Sequence, residues 1–335
     1  MKALPAAWLS RGPLAWLLLP LALVFGLLAR LRRALYRSGL KKTARLPVPV
    51  IVVGNIFIGG TGKTPLVIWL ARMLLASGCK PGVISRGYGG AHALRAVDAT
   101  TAPEEAGDEP VLIAMRTGCP VMVGRDRVAA ARALLQQQPH LDVIISDDGL
   151  QHYHLPRQLE ILVFDSRGTG NGWLLPAGPL REPPARRRDF TVINGEDAAT
   201  GAGVADPVFH MRLEPGNAWQ LAEPTRRQAL APLCAGRRVL AAAGIGNPSR
   251  FFGMLADIGL QFESLPLPDH YDFAANPFTA SPADVILITE KDAVKCRFNT
   301  ALTGDTRLWV VPVTASLDGP LADRILERLR GSPPA

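Results

Sequence analysis

The sequence is poor in aromatic side chains and contains only four cysteines. Aromatic residues make up 6% of its 335 residues, and no segment interleaves Lys or Arg with Phe or Tyr as a platform for single-stranded nucleic acid would. The cysteines lie far apart, at positions 79, 119, 234 and 296, without metal-ligand spacing. Nucleic acid is therefore not an expected partner, and the cysteines are expected to be reduced core residues of a cytosolic body.

The chain instead carries an excess of positive charge. It has 37 Lys and Arg against 29 Asp and Glu, a formal net charge of +8, and a hydrophobic content of 48%. This length and composition are sufficient for two domains, each with its own core. The charge favours an anionic partner, such as a phospholipid surface or a phosphorylated substrate, but does not identify a protein partner.

The first 42 residues combine an apolar run with a basic cluster. Residues 13–29 contain no charged side chain, and basic residues follow at positions 30, 32, 33, 37, 41 and 42. The run is slightly shorter than the roughly 20 residues that span a bilayer comfortably, and Pro20 interrupts it. A cleaved signal peptide is disfavoured, because arginines stand where a small-residue cleavage site would be needed.

Three interpretations of this segment remain open. It could form a spanning or re-entrant helix, a helix lying in the membrane interface, or an ordinary buried helix. In the first two cases the basic cluster meets anionic headgroups on the cytoplasmic side. We expect residues 1–42 to form a membrane-associated helix, at the cytoplasmic face of a membrane.

Beyond residue 46, short β-branched runs alternate with helical periods. Runs at 48–53, 82–85, 143–146 and 161–164 are apolar on both faces, as in a parallel sheet covered by helices. The clearest intervening helices cover 66–76 and 125–137, and a Gly- and Ala-rich stretch at 194–206 predicts a linker. A second alternation follows, with strands at 239–243, 285–289 and 308–313 and helices at 249–258, from 292 and at 321–329. Two α/β units are predicted, over 43–205 and 206–335.

The strongest motif joins the first strand to its helix. A strand, a glycine-rich turn and a helix start place backbone N–H groups around a phosphate, and the helix dipole assists. The residues expected to bind nucleotide are Phe57, Ile58, Gly59, Gly60, Thr61, Gly62, Lys63 and Thr64. Lys63 would reach the outer phosphates and Thr64 could bind Mg²⁺, although Phe57 stands where the standard pattern has glycine. The expected fold is therefore a P-loop NTPase-like, mainly parallel sheet with flanking helices, accompanied by a smaller α/β domain.

An acidic pair follows another predicted strand. Asp147 and Asp148 come directly after the apolar run at 143–146. Magnesium prefers oxygen ligands, so a strand that ends in two aspartates close to a phosphate loop is typical of a Mg²⁺ site. Asp147 and Asp148 are therefore candidate metal ligands, either of them directly or through water.

The class of nucleotide-using protein is constrained by what surrounds the loop. A GTPase should carry Asn/Thr-Lys-x-Asp, whereas the nearest string, at 289–292, has Lys291 and Asp292 adjacent. Partitioning-type ATPases usually have lysine before the double glycine, where Ile58 stands. A kinase, which needs an acceptor site and a group to orient the acceptor hydroxyl, fits better. A membrane-recruited ATPase switch and a soluble sugar kinase remain as alternatives.

Polar strings between the predicted elements supply candidates for the acceptor site. They lie at 85–90, 107–110, 151–154 and 269–271, and the candidate substrate residues are Arg86, Tyr88, Glu109, Gln151 and His152. A zinc site at His152-x-His154 is disfavoured because no third ligand is evident.

Together these strings resemble the tetraacyldisaccharide 4'-kinase family of lipid A synthesis. The resemblance covers most of the chain, through 53–55, 59–65, 85–90, 107–110, 147–152, 171–182, 244–248 and 289–295. It implies an enzyme of the bacterial inner membrane that moves the γ-phosphate of ATP to the 4'-hydroxyl of a tetraacylated glucosamine disaccharide 1-phosphate, giving lipid IVA. The cofactors expected are ATP and Mg²⁺.

The resemblance also implies roles for residues outside the phosphate loop. Asp108 and His270 resemble a catalytic pair, with the carboxylate taking the acceptor proton and the histidine tuning or orienting it. Since these residues fall in different predicted units, the active site would lie between domains, and the smaller domain would close over it. Arg127 or Arg125 could neutralise the transferring phosphoryl group. The arginines at 181 and 186–188 are expected either to meet headgroups or the substrate 1-phosphate, or to form a solvated face.

Overall fold

The apolar N-terminal segment forms one long helix. A computed structural model of the protein describes residues 8–87, 90, 93–195 and 207–331. Helix α1 (Pro13–Arg37) begins at a proline, which suits a first helical turn, and continues through Pro20. With a mean hydropathy of 2.2 over 18 residues, α1 is long and apolar enough to cross a membrane. The predicted N-terminal apolar helix is confirmed.

Helix α1 packs on the protein through small residues and leaves large ones outside. Ala15, Ala22 and Gly26 are buried, and a Cβ on Gly26 would lie 2.9 Å from a methyl group of Leu174. Among the leucines on the opposite side, Leu17 is 75% exposed. The protein body therefore covers only one side of this helix, and most of its apolar surface faces outwards.

Residues 50–215 supply most of a large sheet and its helices. In chain order these elements are β1 (Val50–Gly54), α2 (Lys63–Ala76), β2 (Pro81–Ser85), β3 (Arg95–Val97), α3 (Pro103–Ala106), α4 (Asp108–Thr117), β4 (Val121–Val123), α5 (Arg127–Gln137), β5 (Val143–Asp147), β6 (Leu159–Asp165), β7 (Phe190–Asn194) and β8 (Val208–Pro215). Strands β1, β2, β5 and β6 and helices α2 and α5 all match predicted elements. Every residue of these four strands is buried, as expected for a sheet covered on both faces.

The remaining elements form a smaller sheet and complete the large one. They are β9 (Ala218–Gln220), β10 (Arg227–Gln228), α6 (Leu230–Cys234), β11 (Val239–Ala243), α7 (Pro248–Asp257), β12 (Glu263–Pro266), β13 (Val285–Thr289), α8 (Glu290–Cys296), α9 (Thr300–Thr303), β14 (Leu308–Val311), β15 (Val313–Leu317) and α10 (Leu321–Arg330). Within the described residues, the smaller sheet has the order β10-β9-β14-β13-β11-β12. The four strands from β14 to β12 run parallel to one another.

The large sheet places the phosphate loop at its centre. Among the described residues its strand order is β15-β8-β7-β6-β1-β5-β2-β4-β3, and β1 lies between β6 and β5, parallel to both. Of the strands that the structure describes in this sheet, only the edge strands β3 and β15 run antiparallel to their neighbours. The carboxyl ends of the central strands therefore meet at one edge, where ligands of open α/β sheets bind.

The chain passes from the smaller sheet back to the large sheet at a point that the sequence analysis did not predict. The apolar run at 308–313, predicted as one strand, is two strands separated by Pro312, and β15 pairs with β8 in the large sheet. A proline has no N–H to donate to a ladder, so a change of sheet at this position leaves no backbone donor unpaired. The chain leaves the large sheet after Pro215 and returns at Val313, whereas the predicted boundary at 205/206 lies outside the described residues.

Candidate active site

The glycine-rich loop leads from β1 into α2, as the motif predicts. Gly62 caps α2 with a left-handed φ of 92°, and Lys63 opens the helix. Asn55 Nδ2 donates hydrogen bonds to the carbonyl oxygens of Phe57 and Gly59, at 2.6 and 3.0 Å. Lys63 Nζ in turn donates to Asn55 Oδ1 at 3.0 Å. Asn55, to which the motif analysis gives no role, therefore fixes both the loop and its lysine.

Asn194, at the end of β7, packs against the last residues of the loop. Its Nδ2 donates to the carbonyl oxygen of Thr61 at 3.0 Å. A Cβ on Gly62 would lie 2.1 Å from this nitrogen, and the left-handed backbone at Gly62 also favours glycine. The sequence analysis missed Asn194, because β7 joins the site only through strand pairing. The one available signal was a polar residue at the end of an apolar run.

Phe57 and Ile58 contact protein groups on the side of the loop that faces away from the phosphate site. Phe57 is 4% exposed, and the guanidinium of Arg167 lies over its ring at 4.4 Å from the centroid. The Ile58 N–H donates to the carbonyl of Pro179 at 3.0 Å, and Arg167 donates to the carbonyl of Gly60 at 2.8 Å. The exposed glycines that follow, and not the Phe57 ring, are therefore open to a phosphate.

Asp147 ends β5 and is enclosed by the protein. It is 1% exposed, and Ser85 Oγ donates to its Oδ2 at 3.2 Å. Burial, and after it the charge of Glu109, raises the pKa of Asp147. Its Oδ1 has no hydrogen-bond partner among the described residues. A divalent cation could bind the open oxygen of this buried carboxylate.

Arg127 lies beneath the end of β5. Its side chain is 2% exposed and donates to the carbonyl oxygens of Gly124 and Asp147, at 2.9 and 3.1 Å. Burial lowers the pKa of Arg127 to about 10. These contacts support a role in positioning Asp147, and contact of Arg127 with a transferring phosphoryl group remains a prediction.

Asp148 has a different environment from its neighbour. Its φ is 51°, and its carboxylate lies 3.6 Å from Lys63 Nζ and 3.3 Å from Arg181 Nη1. Burial acts to raise the pKa of Asp148, but Lys63 and Arg181 outweigh it and hold the pKa below its ordinary value. The paired aspartates thus differ: nearby cations outweigh burial at Asp148, whereas burial outweighs the charges of Lys63 and Arg127 at Asp147.

Asp147 fits the role of a magnesium ligand, whereas the metal roles of Thr64 and Asp148 remain predictions. In the part of the chain that the structure describes, no group of three or more His, Cys, Asp and Glu side chains forms a metal site. Magnesium at nucleotide sites takes one or two carboxylates and completes its shell with water and phosphate oxygens. The open Asp147 oxygen beside the phosphate loop meets that requirement.

Asp108 and His270 are brought together, as the family resemblance implies. His270 Nδ1 lies 3.0 Å from Asp108 Oδ2, and Asp108 begins α4 with 4% of its surface exposed. The hydrogen bond to Asp108 is the main cause that raises the pKa of His270. Burial would raise the pKa of Asp108, but His270 and the nearby lysines lower it. The pair therefore favours a carboxylate and a histidine that holds its proton more tightly than usual.

Two lysines from α8 surround the same carboxylate. Lys291 Nζ lies 3.8 Å from Asp108 Oδ1 and 2.9 Å from Glu109 Oε1. Lys295 Nζ lies 3.7 Å from Asp108 Oδ2 and 3.6 Å from Asp292 Oδ1. Although burial opposes it, the charges of Glu109 and then Asp108 raise the pKa of Lys291. The sequence analysis assigned neither lysine to this pair.

A cleft of about 810 Å³ separates the phosphate loop from the smaller sheet. Gly60 and Thr64 line one side, and Asn247, Arg250 and Lys291 line the other. Asn194 at the end of β7 and Glu109, which follows Asp108, also line this space. Its size and position suit a nucleotide whose phosphates lie on the loop.

The predicted acceptor residues near the N-terminal helix are only partly described. Tyr88 lies outside the described residues, and Arg86 is exposed. Burial, followed by the charges of Arg127, Arg86 and Arg32, lowers the pKa of His152 to about 4. His152 is therefore neutral near pH 7, in a basic environment.

Two other acceptor candidates are already engaged by protein groups. Gln151 Nε2 donates to Glu182 Oε1 at 3.0 Å, and Glu109 accepts from Lys291. Each could bind a substrate only while keeping or exchanging that contact. Their substrate roles remain predictions.

A buried ion network lies behind Gln151. Arg186 pairs with Glu182 at 2.6 Å and with Glu160 at 2.5 Å, and Arg157 pairs with the same Glu160 oxygen at 2.6 Å. Tyr153 donates its hydroxyl to Glu182 at 2.7 Å. This network connects the segment at 181–188 to the loop after β5.

The expected exposure of the arginines at 186–188 is wrong for two of them. Arg186 is 3% and Arg188 is 6% exposed, whereas Arg187 is exposed. The sequence of three consecutive arginines does not indicate which of them pairs with a buried carboxylate. Glu160 and Glu182 come close to Arg186 only in the folded chain. Arg186 and Arg188 therefore support the structure and do not form a solvated face.

Comparisons with known proteins agree with this site. The family model described as LpxK, tetraacyldisaccharide-1-P 4'-kinase, matches residues 14–330. A tetraacyldisaccharide 4'-kinase of Janthinobacterium sp. (strain Marseille) is 60% identical over 334 residues, covering 98% of this chain and 96% of that one. A tetraacyldisaccharide 4'-kinase of Azoarcus sp. (strain BH72) is 51% identical over 339 residues, covering 100% and 98%.

A solved structure agrees over the whole fold. LpxK from Aquifex aeolicus, crystallised in complex with ATP, superposes with a TM-score of 0.79 at 30% identity, covering 95% of this chain and 98% of that one. The phosphate loop, the strand-end aspartates and the Asp108 and His270 pair all lie within residues 14–330, which match this family. The chain therefore belongs to the tetraacyldisaccharide-1-P 4'-kinase family.

Proposed function

We propose that the protein transfers the γ-phosphate of ATP to the 4'-hydroxyl of a tetraacylated glucosamine disaccharide 1-phosphate, forming lipid IVA in lipid A biosynthesis. The observation that carries this proposal is the hydrogen bond between Asp108 and His270 next to the cleft that the phosphate loop lines. A phosphoryl acceptor needs such a carboxylate to orient its hydroxyl. A nucleotide switch would not need it.

The phosphate loop holds ATP through backbone N–H groups and Lys63. Lys63 is already oriented by Asn55, so little side-chain freedom is lost when it binds a phosphate. Thr64, Asp147 and Asp148 would hold Mg²⁺, which would supply positive charge against the charge that develops on the phosphates. Arg127 keeps the strand end in place beneath these ligands.

Asp108 accepts the hydrogen bond, and finally the proton, of the acceptor hydroxyl. Its low pKa makes it a weak base, so its contribution lies mainly in orientation, and the proton leaves late in a loose transition state. His270 fixes one carboxylate oxygen and leaves the other, Oδ1, without a hydrogen-bond partner in the described structure. That oxygen is the one that would face the hydroxyl.

The protein works at the cytoplasmic face of the bacterial inner membrane, which α1 contacts with its exposed leucines. A lipid with four acyl chains cannot leave a bilayer cheaply, because each CH₂ moved into water costs about 0.8 kcal/mol. Leu21→Glu with Leu28→Glu should therefore abolish flotation with anionic vesicles, whereas Leu75→Glu with Leu94→Glu, on exposed positions elsewhere, should not. Equal flotation of both variants would contradict the membrane role of α1.

The smaller α/β domain, predicted over 206–335 and with its own sheet formed by residues 218–311, closes over the site. The contacts of His270, Lys291 and Arg250 with the large sheet support this, since all three reach across the cleft. Small-angle scattering should show compaction when a nonhydrolysable ATP analogue and the lipid acceptor are both present. An unchanged radius of gyration would contradict closure.

The reaction itself is tested by product analysis. With ATP and the tetraacylated acceptor in detergent micelles, mass spectrometry should detect a lipid that has gained one phosphate. ATP consumption without a phosphorylated lipid would contradict the proposed function.

A further inference from the structure

A second pocket lies where the basic end of α1 meets the protein body. It has a volume of about 500 Å³ and shares no lining residue with the nucleotide cleft. Its charged lining consists of Arg33, Arg37, Arg45, Arg157, Arg186 and Glu160. We call it the arginine pocket. Five arginines face one glutamate, so the lining is strongly cationic.

Some arginines of the arginine pocket form ion pairs with described residues and others do not. Arg157 and Arg186 pair with Glu160 and form its base. Arg33, Arg37 and Arg45 have no carboxylate partner within the described parts of the chain. Three such guanidinium groups lining one concave space suit a bound anion.

Local packing gives the pocket a fixed shape. The ring of Tyr153 forms one wall, with the ring centroid of Tyr36 at 5.9 Å and the Arg157 guanidinium at 5.6 Å. The peptide after α1 is tied to the same loop, since Ala44 N–H donates to the carbonyl of His154 at 2.9 Å. The arginines are therefore carried by ordered segments.

The carboxyl-terminal end of α1, which borders the pocket, carries little of the negative partial charge that would repel an anion. Helix carboxyl termini are negative because their last carbonyls are unpaired. Here the amides of Ser38, Gly39 and Lys41 bond to the carbonyls of Ala34, Tyr36 and Leu35. The arginines thus dominate the local potential.

The pocket also lies at the end of a helix whose leucines face outwards. A helix that contacts a bilayer through these leucines brings its following basic residues to headgroup depth. We propose that the arginine pocket binds the phosphate of an anionic membrane lipid headgroup, separately from the kinase substrate site. The inference rests on the proposed membrane association of α1 and not on the phosphoryl-transfer reaction.

The test compares binding of the full-length protein to three kinds of vesicle. They are phosphatidylcholine alone, phosphatidylcholine with phosphatidylglycerol, and phosphatidylcholine with the same fraction of diacylglycerol succinate, an anionic lipid without phosphate. Wild-type protein should prefer the phosphatidylglycerol vesicles over both others. Equal binding to the two anionic vesicles would overturn the proposal, because it would indicate surface charge alone.

The variant Arg37→Gln with Arg45→Gln locates the site. One basic residue close to an anionic surface changes partitioning roughly fivefold, so the loss of two predicts a roughly 30-fold weaker binding to phosphatidylglycerol vesicles. Arg227→Gln with Arg237→Gln makes the same charge change at exposed positions near the smaller sheet and should change binding little. A loss of equal size in this control would overturn the proposal.

Replacements that preserve charge distinguish a specific phosphate-binding site from general electrostatic attraction to an anionic membrane. Arg37→Lys with Arg45→Lys should keep attraction to both anionic vesicles but lose preference for the phosphate lipid, because lysine lacks the planar fork. If this variant keeps the wild-type preference, the guanidinium site is contradicted. Failure of the wild-type protein to bind any vesicle would instead contradict the membrane association itself.

The kinase acceptor also carries a phosphate and is the other conceivable occupant. In detergent micelles without phospholipid, Arg37→Gln with Arg45→Gln should leave the acceptor KM unchanged. A KM that rises by the same factor as vesicle binding falls would assign the pocket to the acceptor and overturn the proposal.

Discussion

His270 Nδ1 lies 3.0 Å from Asp108 Oδ2, although the two residues follow strands of different sheets. Asp108 begins a helix packed on the large sheet, whereas His270 follows β12 in the smaller one. Lys291 and Lys295, in helix α8 that follows β13, approach the same carboxylate. The electrostatic state of Asp108 therefore depends on how the two sheets are held against each other.

Replacement of His270 by alanine should shift the acid side of the pH profile. Burial favours protonated Asp108, and the His270 hydrogen bond is the largest influence that lowers its pKa. Without this bond the pKa of Asp108 rises, so Asp108 becomes protonated at a higher pH. As the pH is lowered, His270→Ala should therefore lose activity earlier than the wild-type protein does. The measurement is kcat/KM against pH, and an unmoved acid limb would contradict the coupling.

Gly62→Ala should impair both stability and ATP binding. A left-handed alanine costs about 1–2 kcal/mol, and its Cβ would also displace Asn194, which holds the loop. Gly78→Ala is the matched control, because Gly78 has a φ of 82° at the other end of α2 and open space around it. Gly78→Ala should lose stability only. Calorimetric titration with ATP checks this, and equal affinities of the two variants would contradict the role of Asn194.

Arg186→Leu should strongly destabilise the protein. It leaves Glu160 and Glu182 buried with fewer partners, and breaking a buried ion pair from one side costs about 3–5 kcal/mol. Arg187→Leu, at the exposed neighbouring position, should change stability by less than about 0.5 kcal/mol. Denaturant unfolding of the two variants compares them directly. Similar midpoints would show that the network contributes little.

Features encoded in contiguous sequence were predictable. The strand, glycine turn and helix start at Lys63 follow one another in the chain, and the aspartates at 147 and 148 end an apolar run. Each of these features requires only local periodicity and turn chemistry. The pairing of Asp108 with His270 came from resemblance, because no local pattern joins residues in different sheets.

Features that depend on tertiary packing were not predictable. Asn194 meets the phosphate loop only because β7 lies two strands from β1, and Arg186 is buried only because Glu160 and Glu182 approach it. The strand at 308–313 had a local signal, Pro312, but an apolar run on both sides concealed the change of sheet. The sequence specifies such contacts through the whole fold and not through neighbouring residues.

The most direct test measures labelled phosphate transfer from ATP to the tetraacylated disaccharide 1-phosphate in detergent micelles, with wild-type protein and Asp108→Asn. Asparagine keeps the shape of the side chain but cannot accept a proton, so transfer should fall by about 10²- to 10⁴-fold while ATP affinity stays near wild type. Label that never reaches the lipid with wild-type protein, or transfer by Asp108→Asn at the wild-type rate, would contradict this account.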